Sequence, residues 1–456
     1  MDEVYRHIEE HLEESLAELS RLCEKPSVSA QGIAILETAE FVEAMLRSCG
    51  FQTRVLPKRE GGNPVVYGEL EGASPYTLVF YNHYDVQPPE PLELWTSPPF
   101  QPARRDGRLY ARGVSDNKGN IVSRLAAIRA LRGARGRAPV NIKFLIEGDE
   151  EIGSPNLGPF LQEYGRLFRG DACIWEGASV NWEGVPVIYL GVKGLLYVEL
   201  EVETASRDVH SSWATVVPNA AWRLVWALST LKGADERVLI DGFYDDARPP
   251  TEAEQAALAR LPNEEDESMR SLGLSSFLCG VRGLDYQVRH IFEPTCTIDG
   301  LTSGYQGPGS KTVSPCRASA KLDFRLVCDQ DPGDILLKLR KHLDRRGFVD
   351  VAISHLSGEH PVRTPLDAPF VAVVAQAAEE VYGRPPYVIP NMAATGPMYH
   401  FVGDVGLPTA SAGIGYPDAR AHAPDENLRV SDFLLGTKHV AALLARLGEG
   451  GGGRAL

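Results

Sequence analysis

The chain has 456 residues, of which 43% are hydrophobic and 23% are charged, and its 46 basic and 61 acidic side chains give a net charge of −15. This length exceeds what one hydrophobic core usually supports, so we expect two domains. The acidic balance argues against nucleic acid as a partner, and the lack of an apolar run near ~18 residues argues against a membrane span.

The first third of the chain alternates short apolar runs with helical segments. The runs TLVFYNHYDV, NIKFLIEG and DACIWEG have the length and apolar content of strands, and NIVSRLAAIRALRG is a predicted helix between the first two. This βαβ rhythm predicts an α/β domain whose sheet has helices on its faces.

The pattern changes near Gly191. The run KGLLYVELEVET alternates apolar and polar residues, as a strand with one solvent-facing side does. A helical run, PNAAWRLVWALSTL, an acidic segment over roughly 235–300, and a strand–helix–strand pattern then predict a small α+β domain. We therefore expect a discontinuous larger domain over residues 1–191 and 363–456, with the smaller domain over residues 192–362 inserted in it.

Seven cysteines are widely spaced along the chain, and no CxxC pair occurs among them. Their odd number and spacing indicate reduced thiols rather than a disulfide framework or a thiolate metal site. Together with the acidic charge, this pattern favours a cytoplasmic protein.

Polar residues follow the three predicted strands of the larger domain. His83 and Asp85 end the first run, Glu150 and Glu151 follow the second in EGDEEIGS, and Glu176 ends the third. In an open α/β sheet the carboxyl ends of the strands form the ligand crevice, so these side chains are expected to converge. The alternative at each position is an ordinary polar strand end or a solvated turn.

Two further segments carry residues of the same kind. Asp116 lies in the turn of LYARGVSDNKGN, where an aspartate could equally serve as a turn or cap residue, and His422 lies in the loop of AHAPDENL. Two histidines and several carboxylates without thiols suit hard-to-borderline divalent cations such as Zn²⁺.

The order and spacing of these motifs give the chain a family resemblance. The stretches NHYDVQP, LWTSPPFQPARRDGRLYARGVSDNKG, EGDEEIGS, SGYQGPGSKTVSP, DFRLV and AHAPDENL resemble those of the co-catalytic zinc peptidase family that includes carnosine dipeptidases, acetylornithine deacetylase, succinyl-diaminopimelate desuccinylase and aminoacylase. The dipeptidase branch is the most similar. The resemblance implies a catalytic α/β domain with a central mixed sheet flanked by helices, plus an inserted α+β, ferredoxin-like lid and dimerisation domain.

The resemblance also implies roles for the strand-end residues. Two divalent metal ions per chain, zinc first with manganese or cobalt as alternatives, would together activate a hydroxide and polarise the scissile carbonyl. Asp116 would bridge the two ions, Asp85 would orient His83, and Glu150 would act as general base. The ligands would fall into two sets: His83 with Glu151, and Glu176 with His422.

Three residues outside the metal set are implied to meet the substrate. His210 in SRDVHSS would contact the oxyanion, often from the partner subunit of a homodimer. Arg325 in DFRLV would clamp the substrate carboxylate, and Gly396 in AATGPMY falls where dipeptidases contact the same group. Without the resemblance, His210 would be interpreted as a surface residue and Arg325 as a strand-end residue.

These observations favour a hydrolase acting on the amide bond of dipeptides or similar short substrates with a free carboxylate. An N-acyl amino acid deacylase with the same centre is the alternative. A catalytically silent binding protein is disfavoured, because the implied ligands and Glu150 are all present. The roles of Glu147 and Asp149, which share the EGDEE run, stay open.

Overall fold

A computed structural model describes residues 1–58 and 61–451 of the chain. The α-helices of these ranges are, in chain order, α1 Asp2–Glu10, α2 Leu12–Cys23, α3 Ile35–Ser48, α4 Lys118–Arg135, α5 Leu157–Tyr164, α6 Ala220–Leu228, α7 Glu252–Leu258, α8 Glu265–Leu272, α9 Gly283–Phe292, α10 Pro332–Arg345, α11 Pro369–Tyr382 and α12 Val430–Arg446.

The strands of the same ranges include several of only two or three residues. They are β1 Gln52–Leu56, β2 Val65–Leu70, β3 Gly72–His83, β4 Ala103–Arg105, β5 Arg108–Tyr110, β6 Ala138–Glu147, β7 Ala172–Trp175, β8 Val187–Tyr189, β9 Gly191–Val192, β10 Gly194–Glu203, β11 Val209–His210, β12 Thr297–Ser303, β13 Val313–Ser314, β14 Arg317–Leu326, β15 Ala352–Glu359, β16 Val362–Arg363, β17 Tyr387–Ile389, β18 Thr409–Ser411 and β19 Asn427–Arg429.

The chain divides into two compact units. The first contains Met1–Gly191, Arg363–Pro390 and the described residues from His400 onward, and the second contains Val192–Val362 and Asn391–Tyr399. Residues 391–399 differ from the sequence expectation, which placed them in the larger domain. A short segment of this kind has no hydrophobic periodicity of its own, so its contacts rather than its sequence determine where it belongs.

The first unit is built on a mixed six-stranded sheet in the order β1-β2-β6-β3-β7-β18. The strands β6, β3, β7 and β18 run parallel, whereas β1 and β2 are antiparallel additions at one edge. Helix α3 packs on β1 and β2, α4 and α12 pack on β6, and α11 packs on β18. The strands predicted in TLVFYNHYDV, NIKFLIEG and DACIWEG are thus confirmed as β3, β6 and β7, and they run parallel as neighbours in the sheet.

The core of the first unit explains this arrangement. Strand β3 buries Leu78 and Phe80 and strand β6 buries Ile142 and Phe144, and all four side chains have no exposed surface. Near-continuous apolar runs of this kind are typical of strands covered on both faces, as in parallel sheets with flanking helices. Because β6, β3 and β7 are parallel neighbours, their carboxyl ends lie side by side at the same end of the sheet.

The second unit has a four-stranded antiparallel sheet in the order β12-β14-β10-β15, with α6 and α10 packed against it. The chain order strand–helix–strand–strand–helix–strand in these elements is that of a ferredoxin-like fold. Strand β10 buries alternate residues, including Leu196, Val198 and Leu200, which confirms the alternation in KGLLYVELEVET. Among the described helices of both units, none combines the length and the apolar composition that a membrane crossing needs.

Candidate metal centre

Histidine and carboxylate side chains meet at the carboxyl edge of the parallel strands in the first unit. His83 is the last residue of β3, and Glu176 directly follows β7. Glu150 and Glu151 lie in a short 3₁₀ turn, Glu150–Ile152, which comes three residues after the end of β6. The sheet order places these three strand ends next to one another, which is the convergence that the sequence predicts.

The Asp116 carboxylate lies between two imidazoles. Its Oδ1 atom is 3.1 Å from His83 Nε2, and its Oδ2 atom is 3.1 Å from His422 Nε2. A carboxylate that presents one oxygen to each of two histidines has the geometry of a bridging ligand. Burial opposes ionisation of Asp116, but hydrogen bonds with His422 and His83 hold its pKa below the usual value.

The carboxylates of Glu151 and Glu176 divide between the two histidines. Glu151 Oε2 is 3.1 Å from His422 Nε2, and Glu176 Oε1 is 3.8 Å from His83 Nε2. This geometry favours a different pairing from the one that the resemblance implied, in which Glu151 joined His83. His83, Asp116 and Glu151 nevertheless offer ligand atoms that all lie within 4.8 Å of one another, so the two sets are close neighbours.

The donor set fits cations, because its negative charge is not balanced by lysine or arginine among the described residues. Asp116, Glu150, Glu151 and Glu176 converge here, and none of them pairs with a described lysine or arginine. Glu176 Oε2 is buried and has no hydrogen-bond partner among the described residues. Buried carboxylates are usually paired or coordinate metal ions, so this cluster is expected to hold divalent cations.

The histidines respond to the same negative charge. Hydrogen bonds with Asp116 and Glu151 raise the pKa of His422 to about 10. Burial opposes the protonation of His83, yet the carboxylates around it, Asp116 first, raise its pKa well above the usual value. The site as a whole therefore stabilises positive charge.

Glu150 differs from the other carboxylates in its surroundings. Its Oε2 atom is 4.0 Å from His83 Nε2, farther than the closest oxygens of Asp116 and Glu176. Burial, and then the neighbouring charge of Glu176, raise the pKa of Glu150 well above the usual value. A carboxylate with a raised pKa beside a candidate cation site is suited to accept and release a proton.

Asp85 contacts both His83 and the Glu150–Ile152 turn, called the acidic turn below. Its Oδ1 atom lies 3.4 Å from His83 Nδ1, and its two carboxylate oxygens accept the backbone N–H groups of Glu150 and Glu151 at 3.3 and 3.0 Å. The orienting role of Asp85 stays a prediction, and these hydrogen bonds show in addition that Asp85 holds the backbone of the turn. Gln87 adds hydrogen bonds from Nε2 to the Glu151 carbonyl and carboxylate, both at 3.0 Å.

Two candidate ligands have an uncommon backbone conformation. Glu176 has φ of 31° and His422 has φ of 62°, in the region that favours glycine. Such conformations concentrate at functional sites, where the surrounding structure imposes them. At Glu176 the buried Arg124 side chain helps to impose it, because Arg124 Nη2 donates to the Glu176 carbonyl at 2.6 Å.

A buried carboxylate that sequence reasoning missed supports Asp116. Glu426 accepts from the N–H groups of Ser115 and Asp116 with one oxygen, and from the N–H of Gly113 and Nη1 of Arg112 with the other. Arg112 and Glu426 are both about 1% exposed in their side chains. The only signal in the sequence was that Glu426 shares the AHAPDENL motif with His422, because its partners lie more than 300 positions away.

The residues expected to meet the substrate belong to the second unit. Arg325 on β14 pairs through Nε with Asp323 Oδ2 at 3.0 Å and donates from Nη1 to Thr395 Oγ1 at 2.7 Å, next to the buried Gly396. The structure therefore brings Arg325 and the segment of Gly396 together. His210 is exposed at the end of β11, and its Nδ1 atom accepts from the Ser212 N–H at 3.1 Å. It is not part of the Arg325 contacts.

Comparisons with known proteins point to one family. A sequence model described as peptidase family M20/M25/M40 matches residues 79–446. The chain is 27% identical to the Beta-Ala-His dipeptidase of Rattus norvegicus over 85% of its own length and 80% of that protein. It is also 27% identical to the Cys-Gly metallodipeptidase of Schizosaccharomyces pombe, over 96% of both chains.

A solved structure is similar over nearly the whole chain. It is the M20 family metallo-carboxypeptidase Sso-CP2 from Sulfolobus solfataricus, with 40% sequence identity and a TM-score of 0.90, and the match covers 96% of this chain and 99% of that one. A match of this extent includes parts of both units.

Proposed function

Because the chain belongs to peptidase family M20/M25/M40 through residues 79–446, we propose that it is a metal-dependent hydrolase that cleaves dipeptides or similar short peptides with a free carboxylate. The resemblance to the dipeptidase branch is confirmed by the dipeptidase names of its relatives. The observation that carries the proposal is the Asp116 carboxylate held between two histidines, each of which has a further carboxylate beside it.

We propose two ligand sets that share Asp116. His83 and Glu176 would hold one divalent cation, and His422 and Glu151 would hold the other, in line with the observed distances. Imidazole and carboxylate ligands without thiols suit zinc, and manganese or cobalt are the alternatives. When bound, such a pair of cations lowers the pKa of water and polarises a carbonyl oxygen.

The protein's own side chains would transfer the proton, position the ligands and bind the substrate. Glu150 would take a proton from the attacking water and deliver it to the leaving nitrogen, because its raised pKa suits both transfers. Asp85 would hold His83 and the Glu150–Glu151 backbone in place. Arg325 would bind the free carboxylate of the substrate with its planar guanidinium, with Gly396 in the adjoining segment. The hydrogen bond from Arg325 to Thr395 supports this assignment.

The test is a hydrolysis panel with metal analysis. We expect purified protein to contain about two divalent ions per chain, to cleave dipeptides, and to lose activity with a chelator and regain it with Zn²⁺, Mn²⁺ or Co²⁺. Dipeptides with an amidated C-terminus should be poor substrates, because they lack the carboxylate. Full activity in a metal-free preparation would contradict the proposal.

The same panel separates two further candidates. The similarity to a metallo-carboxypeptidase favours release of the C-terminal residue from longer peptides, so tripeptides and tetrapeptides belong in the panel. The N-acyl amino acid alternative has less support, because the relatives carry peptidase names. Faster cleavage of N-acetyl or N-succinyl amino acids than of any peptide would favour it instead.

We propose a homodimer formed through the second unit. Helix α6 exposes Trp222 and Trp226, which stack on each other at 5.9 Å with more than half of their surface accessible, and the edge strand β12 exposes Ile298 and Leu301. Large apolar side chains with this much exposed surface are typical of an interface. In the dimer, His210 would act on the oxyanion in the partner subunit.

The dimer is tested by its molar mass. In analytical ultracentrifugation the wild-type protein should sediment as a dimer, and Trp222→Ser with Trp226→Ser should give a monomer. The matched control is Trp182→Ser, since Trp182 is an equally exposed tryptophan of the first unit. A monomeric wild-type protein would rule the proposal out.

We also propose a cytoplasmic location. All seven cysteines are free in the structure, and five of them are buried, which suits a reducing compartment.

A further inference from the structure

Two of the four acids in EGDEE bind a buried lysine from a distant loop. Lys58 follows β1, and its Nζ atom lies 2.5 Å from Glu147 Oε2 and 3.0 Å from Asp149 Oδ2. Lys58 and Glu147 have no exposed side-chain surface, and the Asp149 side chain is 2% exposed. Burial opposes the charge on Lys58, but the two carboxylates raise its pKa above the usual value, so the ammonium group stays charged.

Asn63, in the same loop as Lys58, makes further hydrogen bonds to the residues just before the acidic turn. The Asn63 N–H donates to the Asp149 carboxylate at 3.1 Å, and Asn63 Nδ2 donates to the Gly148 carbonyl at 2.7 Å. Three consecutive residues, Glu147, Gly148 and Asp149, are therefore tied to the loop between β1 and β2. Glu150 and Glu151 come directly after them in the chain.

Glu147 connects the same cluster to both ends of the turn. Its Oε1 atom accepts from Tyr81 on β3 at 2.7 Å and from Ser154 at 2.8 Å, just beyond the turn. In the sheet, Glu147 pairs in register with His83. The carboxylate that Lys58 neutralises therefore links three elements: β3, which ends at His83, β6, which ends at Glu147 itself, and Ser154 after the turn.

We propose that Lys58 is a positioning residue, which fixes the backbone of the acidic turn so that Glu150 and Glu151 face the cation site. This inference rests on the proposed function for its catalytic meaning. Asp85 and Gln87 hold the turn on the side of the centre, and Lys58 with Asn63 holds the residues just before it. Without the ammonium, the Glu147 and Asp149 carboxylates would repel each other in a buried space, and the turn would shift to let them reach water.

This role differs from a contribution to overall stability. A lysine that only stabilised the fold would, when replaced, lower the melting temperature and leave turnover unchanged well below that temperature. A positioning lysine would change local opening of the turn and kcat, with a smaller change in KM, since the proposed substrate-carboxylate contacts of Arg325 and Gly396 lie in other segments. The experiment therefore needs a measurement on the turn itself.

The experiment compares Lys58→Met with Lys58→Arg and with Lys143→Met. Lys143 is a matched control, because it lies on the same strand as Glu147 but donates to the Arg169 carbonyl instead. Hydrogen exchange is measured on metal-free protein for a peptide that covers residues 148–154. Zinc affinity is measured by calorimetry against a competing chelator, and kcat and KM are measured on zinc-loaded protein.

We expect Lys58→Met to raise exchange in that peptide alone, to weaken zinc binding and to lower kcat, with losses of about 10–100-fold that are typical of residues supporting metal ligands. Lys58→Arg should recover most of each loss, because it keeps the charge, and Lys143→Met should match the wild type. Exchange and kcat at wild-type levels in Lys58→Met would overturn the inference.

A second variant keeps the test valid if Lys58→Met does not fold. The double variant Lys58→Met with Asp149→Asn removes one charge of each sign, so the net charge of the cluster is unchanged while the tether is lost. It should still show raised exchange over residues 148–154, and wild-type exchange there would overturn the inference. If the wild-type protein cleaves no substrate in the panel, the proposed function fails, and the exchange measurement still decides whether Lys58 holds the turn.

Discussion

Removing Arg112 should destabilise the first unit far more than removing Arg108, although both arginines pair with a carboxylate near the end of the chain. Arg112 pairs with Glu426 at 2.9 Å, and both side chains are about 1% exposed. Arg108 pairs with Asp418 at 3.1 Å, with side chains that are 32% and 36% exposed. Each arginine also lies over an aromatic ring, Trp95 for Arg112 and Tyr416 for Arg108.

The expected magnitudes follow from burial. Breaking a buried ion pair by removing one partner costs about 3–5 kcal/mol, because the remaining charge stays buried and uncompensated. Glu426 would keep the three backbone N–H groups of Gly113, Ser115 and Asp116, so we expect the lower end, about 3 kcal/mol, for Arg112→Met. For Arg108→Met we expect about 0–1 kcal/mol, as for exposed pairs.

The assay is urea unfolding followed by circular dichroism on metal-free protein. Burial already raises the pKa of Glu426, against the opposing effect of Arg112, and without the guanidinium it should rise further. A carboxyl group whose pKa is higher in the folded state than in the unfolded state binds its proton more tightly when folded, so stability increases as pH falls. The deficit of Arg112→Met should therefore shrink between pH 7 and pH 5. Equal losses in the two variants, or a deficit that grows on acidification, would refute the reasoning.

The remaining predictions concern the proposed chemistry and one buried histidine. Glu150→Gln should keep its zinc content yet lower kcat by about 100-fold or more, the contribution of a general base, so an active variant would show that the base is wrongly assigned. His210→Ala should lower kcat much more than metal content, and full activity would dismiss its role at the oxyanion. Arg325→Lys should raise KM for dipeptides by about tenfold, since a lysine cannot bind a carboxylate through two parallel bonds, and an unchanged KM would remove Arg325 from the substrate site. Burial lowers the pKa of His439 to about 4. The folded state therefore keeps its full stability above pH 6.5, where the imidazole is neutral in both the folded and the unfolded chain. As pH falls from 6.5 towards 4, the free energy of unfolding decreases by about 3 kcal/mol. His439→Gln should show a flatter pH dependence of unfolding, and an unchanged slope would contradict this assignment.

The strand ends of the site could be predicted because hydrophobic runs mark buried strands. His83 and Glu176 end such runs, and the parallel order of β6, β3 and β7 brings them together as expected. His422 lies in a loop without periodicity, so only its motif identified it. The partner of Glu151 depends on how a 3₁₀ turn directs two adjacent side chains, which the sequence does not specify.

Long-range polar pairs were beyond sequence reasoning for a different reason. Arg112 and Glu426 are 314 positions apart, and Lys58 and Glu147 are 89 apart. Each of these residues alone resembles an ordinary loop or strand-end charge, and only the fold shows that it is buried beside a group of opposite charge. Glu147 and Asp149, whose roles were open, proved to be the partners of Lys58.

The discontinuous first unit has a consequence for biosynthesis. Four of the candidate residues are synthesised before the second unit: His83, Asp116, Glu151 and Glu176. His422 and Glu426 are synthesised only after it. Until then the Asp116 turn lacks the carboxylate that accepts its backbone N–H groups, and β7 lacks its neighbour β18. A nascent chain therefore carries an incomplete candidate centre until the second unit has been made. Because β18, His422 and Glu426 follow the second unit within one short stretch of sequence, the edge of the sheet and the candidate centre are completed together, after the second unit has been made.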